Sequence, residues 1–136
     1  MINFSELPRV ALDFMNQDHE YAAGLVNDIE VQCERGNVNE VERLLKVMQQ
    51  HSIEHFSHEE KEMIKYSFPP YNVHKQDHDR LLMDLDMAIK QLSNHHDLNK
   101  VSGFLTSEFP TWFAQHLATM DRMTAHFIAI NMQESV

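Results

Sequence analysis

Apolar residues recur along this chain at steps of three and four, the spacing of one face of an α-helix. Met15, Ala22, Val26, Ile29 and Cys33 form such a stripe, with His19 on it, and predict a first helix over roughly 10–35. Gly36 follows, where a left-handed residue ends a helix without a Cβ penalty. Asn37 and Glu40 have the three-residue spacing of a capping box. They open a second predicted helix over 38–67, with the stripe Val41, Leu44, Leu45, Met48, Ser52, His55, Phe56, Glu59 and Met63. Pro69-Pro70 ends it, because proline lacks the N–H and disfavours helix in the residue before it. A third helix is predicted from Tyr71 to about His95, along His74, His78, Leu81, Leu82, Leu85, Ile89 and Leu92, with a polar connection over 94–99. The fourth helical region, 98–131, carries Leu105, Phe109, Trp112, His116, Met120, Met123, Phe127 and Ile130. Pro110 lies inside it and removes a bond to the Thr106 carbonyl, so a kink or break is expected, with the last strong helix starting near Thr111. Four amphipathic helices with short connections predict an all-α, antiparallel up-down four-helix bundle.

Composition fits that picture. Three glycines and four prolines in 136 residues are too few turn formers for an all-β chain, and the length suits a single domain over 1–136. A formal net charge of −10 repels nucleic-acid phosphates and anionic membrane surfaces, so neither is an expected partner. The single cysteine, Cys33, excludes an intrachain disulfide and fits a reducing compartment. MINFSELPRVALDF has no basic region followed by a long apolar run, and no stretch approaches a membrane span. A cytoplasmic location is expected.

The ten histidines change the picture by where they fall. His55 and Glu59, and again His74 and His78, stand four apart and share a helix face. A lone histidine pair of this kind is commonly a solvated surface. Here all four stripes that must face the core carry imidazole or carboxylate: His19, His55, Glu59, His74, His78 and His116, with Asp121 nearby. Burying so many polar groups without partners would cost several kcal/mol each, on the order of 2–7. A shared metal centre removes that cost. Asp121 resists the simple stripe, since five residues place it about 140° around an ideal helix from His116. Either a π-bulge brings it round or the two residues grip different sides of a two-metal centre.

Five imidazoles and two carboxylates exceed what one ion can use. Zinc would leave ligands spare, and magnesium and calcium prefer all-oxygen shells. A nitrogen-rich mixed set suits iron, with manganese less favoured. Seven ligands fit two octahedral irons joined by two carboxylates and one oxo or hydroxo group. One iron then takes three histidines and is saturated. The other takes two and keeps one open position.

In order and spacing, His19, the run HFSHEE containing His55, Phe56, Glu59 and Glu60, then His74-x-x-x-His78 and His116-x-x-x-x-Asp121 resemble the hemerythrin family, and its bacteriohemerythrin branch in particular. The resemblance covers nearly the whole chain. It implies that His74, His78 and His116 bind the saturated iron, His19 and His55 the open one, and that Glu59 and Asp121 bridge them. It also implies that Phe56 and Trp112, with Phe113 and Leu117, wall the ligand pocket. Phe113 stands where many members carry leucine, a departure that bears on pocket size. The connection between His78 and His116 is long, as in bacterial members. The ending His-x-x-x-x-Asp, rather than a glutamate motif, favours the oxygen-binding branch.

The function these features predict is reversible dioxygen binding as a carrier or store, without enzymatic turnover. Ferritin-like oxidases use Glu-rich shells instead. The alternatives are a sensor of oxygen, nitric oxide or redox state, and a di-iron enzyme acting on nitric oxide, peroxide or iron. His51, His58, His95, His96 and His126 are expected to be surface groups or neighbours of the site, and Cys33 a small buried hydrophobe.

Overall fold

The computed structural model describes residues 2–134 and is helical, with no strand among them. We label its helices α1 (Asp13–Glu34), α2 (Val38–Lys65), α3 (Tyr71–His95) and α4 (98–134). α2 packs against α1 and α3, and the first part of α4 packs against α1 and α3 in turn. Connections of a few residues reverse the chain between neighbours, which gives the antiparallel four-helix bundle. No helix among the described residues is long and apolar enough to cross a membrane.

The helix ends follow local chemistry. At the end of α1, Gly36 takes φ 72°, and the N–H groups of Gly36 and Asn37 donate to the carbonyls of Cys33 and Gln32, a Schellman closure. The Asn37 side chain then accepts from Glu40 N–H at 3.3 Å. Only half of the expected capping box forms. The Asn37 N–H is already spent on Gln32, and the Glu40 carboxylate turns to Arg43 instead. A second Schellman closure ends α2 with Ser67 at φ 55°, just before the two prolines. α1 starts at Asp13 rather than near 10 because the Asn16 amide holds the Val10 N–H and C=O, each at 2.9 Å, in an extended segment.

The largest difference from expectation lies in α4. It is not broken at Pro110. The helix runs on through it, and the adjustment sits upstream in a π-turn, Phe104–Glu108, where Phe109 N–H reaches back five residues to Phe104 O. A second π-turn, Leu117–Asp121, follows. Val101, Leu105, Phe109, Phe113, Leu117, Asp121 and Ala125 are all buried. These are steps of four, and in an ideal α-helix each step drifts about 40° off the face. The wider π-turns absorb that drift.

The second π-turn also moves the stripe. Thr124, Ala125 and Ile128 are buried, whereas Met123 and Ile130, expected on the core face, are exposed. One extra residue in the turn rotates everything after Asp121 by one position. On the other helices the buried sets match the stripes closely, with Asn16 and Ala23 joining on α1 while Ala22 and Cys33 are only half-buried.

This register has a direct test. Ile128→Ala should cost about 2–5 kcal/mol in urea unfolding, and Met123→Ala should stay within about 0.5 kcal/mol. The reverse order would restore the uninterrupted α-helical register.

Candidate metal centre

The six residues singled out by the stripes meet Asp121 at the middle of the bundle, and all seven are buried: His19, His55, Glu59, His74, His78, His116 and Asp121. Each helix contributes, and the pairs on α2 and α3 reach the centre together because they lie one turn apart. The second π-turn carries Asp121 inward, close to His116. Its Oδ1 lies 3.0 Å from Nε2 of both His74 and His116, and its Oδ2 lies 3.0 Å from Nε2 of His19. Glu59 is placed alike. Its Oε1 is 3.3 Å from Nε2 of His74 and of His78, and its Oε2 is 2.5 Å from Nε2 of His55.

The donors therefore sort into two overlapping groups, one of Glu59, His74, His78, His116 and Asp121, the other of His19, His55, Glu59 and Asp121, with the ligand atoms of each group within 4.8 Å of one another. Both carboxylates belong to both groups. Each turns one oxygen to either side.

Four of the five imidazoles are oriented from behind through Nδ1. Asp18 Oδ2 holds His55 at 2.6 Å, Thr124 Oγ1 holds His74 at 2.7 Å, Glu60 Oε2 holds His78 at 2.9 Å and Asp77 Oδ2 holds His116 at 2.6 Å. A fixed Nδ1 partner sets the tautomer and aims Nε2 inward, as ligating histidines require. Rings finish the alignment. Phe56 stacks on His78 at 3.9 Å and Trp112 on His116 at 4.6 Å, while the Trp112 Nε1–H donates to Asp77 Oδ1 at 3.1 Å.

The donor set fits a metal on an observation of its own. Among the described residues, the buried side-chain N and O atoms without a hydrogen-bond partner are Nδ1 and Nε2 of His19, both oxygens of Glu59 and Nε2 of His78. Buried polar groups are nearly always paired. Apart from His19 Nδ1, which faces away from the cluster, these atoms belong to the groups whose ligand atoms lie within 4.8 Å of one another, as groups do when they point at a common cation.

Protons do the neutralising when no metal does. Burial opposes charge on His55, but Glu59 and Asp18 outweigh it and push the imidazole up to about 10. Burial likewise opposes charge on His116, and Asp121 and Asp77 push it up to about 9. Burial would raise Asp121, yet His116, His19 and His74 hold its carboxyl well below the usual range. The same balance holds Glu59 low.

Beside this cluster is a small pocket of about 30 Å³, walled by Phe56, Trp112, Phe113 and Leu117 and reached by His19, His55, His116 and Asp121 but not by His74 or His78. A pocket of this size has room for a small ligand such as a diatomic molecule.

The family model described as "Hemerythrin HHE cation binding domain" matches residues 10–126. The chain belongs to the hemerythrin family. It is 26% identical to a bacteriohemerythrin of Aquifex aeolicus over 125 residues, covering 92% of this chain and 95% of that one. It is 34% identical to a bacteriohemerythrin of Ralstonia nicotianae over 79 residues, covering 58% and 56% of the two chains. A solved structure of a leucine-to-phenylalanine point mutant superposes with a TM-score of 0.77 at 20% identity over 94% of this chain and 95% of that one. At that identity the likeness speaks for the fold. In this hemerythrin chain the buried histidine–carboxylate cluster fits a metal site of the kind the family's cation binding calls for.

Sequence reasoning missed the outer partners Asp18, Glu60, Asp77 and Thr124. Three are carboxylates next to a proposed ligand in sequence, about 100° off the stripe, and that adjacency was the available signal. Thr124 became a partner only through the π-turn. His58 is exposed and stacks on Phe14 at 3.9 Å, and His95, His96 and His126 are exposed. His51 is half-buried and lines the pocket.

The pKa shifts predict how the metal-free chain responds to pH. A histidine whose folded pKa exceeds its unfolded value of 6.5 stabilises fully below 6.5, and that contribution disappears as pH rises through the folded value. Metal-free protein should therefore lose stability between pH 6.5 and about 9–10, each group contributing a slope of about 1.4 kcal/mol per pH unit. The metal-loaded protein should show no such loss, because its ligands must be deprotonated. Urea titrations of both forms from pH 6 to 10 check this.

Proposed function

We propose that this chain binds two non-haem irons, joined by an oxo or hydroxo group, and uses them to bind dioxygen reversibly as a carrier or store. The observation that carries the reading is the pair of two-faced carboxylates: Glu59 and Asp121 each turn one oxygen toward two or more of His74, His78 and His116 and the other toward His19 or His55. In this reading His74, His78 and His116 hold one iron, His19 and His55 the other, and the two carboxylates bridge them. Five nitrogens and two bridging carboxylates suit iron rather than an all-oxygen or cysteine-rich ion.

When bound, the iron pair supplies dioxygen with two electrons and recovers them on release. The chain does the rest. His19 and His55 leave their side of the cluster one donor short, and both line the 30 Å³ pocket, with His116 as the one histidine of the other group that reaches it. Phe56, Trp112, Phe113 and Leu117 would exclude bulk water, and the protons it carries, from a small ligand held there. Asp18 and Asp77 fix the rings of His55 and His116, so that little reorganisation accompanies binding. A di-iron enzyme acting on nitric oxide, peroxide or iron would use the same centre and is separated from a carrier by turnover, and a sensor by a signal passed to a partner protein.

The reduced protein is expected to take up oxygen and, under argon, to return to its starting optical spectrum through repeated cycles. Trp112→Ala should speed irreversible oxidation more than it weakens iron retention. Decay to the oxidised form in every cycle, even at low temperature, would overturn the carrier reading and favour the enzyme. His78→Ala should lose metal and stability together, while His95→Ala keeps both, as metal content and melting temperature will show.

A further inference from the structure

Three surface hollows share wall residues with the inner pocket, and they differ in how firmly the shared residue is held. Phe113 separates the pocket from a hollow beside the N-terminal segment. It is buried, stacks on Phe109 at 5.2 Å and meets the His19 ring edge-on at 6.0 Å, so its ring is fixed by packing. His19 separates the pocket from a second hollow, near Arg9 and Glu20, and as a proposed ligand it is not free to swing. The third hollow, a cleft of about 500 Å³ between α1 and α2, shares Asp18 and His51 with the pocket. Asp18 is pinned by His55 at 2.6 Å. His51 is tied by one hydrogen-bond contact of 3.2 Å from Nε2 to the Asp18 carbonyl, lies parallel to the His55 ring at 6.2 Å, and is covered on its outer side by Tyr21, which is itself half exposed.

The polarity of the wall points the same way. Apart from the proposed ligands and the Trp112 indole, whose N–H is given to Asp77, the polar side chains on the pocket wall are Asp18, His51 and Ser52. Ser52 Oγ donates to the Met48 carbonyl within its own helix. The rest of the wall is hydrocarbon and aromatic, and a polar molecule crossing it would lose its hydrogen bonds at a cost of several kcal/mol, roughly 2–7.

We propose that small polar molecules, water and hydrogen peroxide among them, enter and leave the pocket past His51, whose ring closes it toward the α1–α2 cleft with Tyr21 as its outer cover. The inference rests on the di-iron reading above for the identity of the pocket, and it makes His51 a positioning residue that sets rates. A closed ring lies on the path in both directions. Removing it therefore raises association and dissociation by one factor and leaves the equilibrium constant alone.

The test uses azide binding to the oxidised iron-loaded protein, followed by stopped-flow absorbance. His51→Ala should raise both azide rate constants about tenfold with Kd within about twofold, and Tyr21→Ala should move both in the same direction by less. Rates within about twofold of the parent in both variants would overturn the proposal. So would a Kd that shifts as much as the rates, which would mark an electronic or structural role for His51. A parent protein that binds no azide would count against the di-iron reading instead. The door is then read without azide, in the protein as isolated and whatever metal it holds, from exchange of the His55 ring proton held by Asp18. His51→Ala and Tyr21→Ala should speed that exchange, and unchanged exchange would overturn the door.

Discussion

Two buried carboxylates at the centre of a helical bundle set the terms for everything around them. Glu59 and Asp121 are fully removed from water, and an isolated carboxylate in such a place would shift its pKa and neutralise. Instead both are held ionised by the imidazoles around them. The bundle therefore needs positive charge at its middle, supplied by protons or by metal cations. The orphaned atoms of His19, Glu59 and His78 show which of the two the geometry suits. Protons would draw these atoms into aligned hydrogen bonds, whereas a cation needs them to converge.

The demand for convergence spreads outward. Nδ1 of His55, His74, His78 and His116 must be held so that Nε2 can point in, which fixes Asp18, Thr124, Glu60 and Asp77. Asp77 also holds the indole of Trp112, so one carboxylate orients a ligand and a pocket wall together. His19 is the exception, with Nδ1 buried and unpaired, and it lies on the side of the cluster that faces the pocket. The half of the centre that would exchange a ligand is also the half less firmly braced.

Much of this was legible in the sequence. The stripes through Val26, Leu45 and Leu85 read out three helices and their inner faces, and His19, His55, Glu59, His74, His78 and His116 showed themselves as polar residues on apolar stripes. Periodicity failed in α4 because it assumes a constant turn. Two π-turns change the count there, so Met123 and Ile130 were placed inward when Thr124 and Ile128 are. The same turn resolved the difficulty with Asp121, which reaches both histidine groups. Pro110 predicts a kink or break at its own position by a local rule, whereas the helix adjusts one turn earlier. The partners at Asp18, Glu60 and Asp77 were hidden because the edge of a helix face looks like surface in one dimension, and His51 for the same reason.

The central claim is that seven residues from four helices hold two metal ions, not one. Anomalous diffraction at the iron edge, from crystals of protein grown with iron, measures this directly. The account predicts two iron peaks in each chain, one among the Nε2 atoms of His74, His78 and His116 and the other between those of His19 and His55, with Glu59 and Asp121 touching both. A single peak, or density for another metal bound by fewer of these residues, would contradict it.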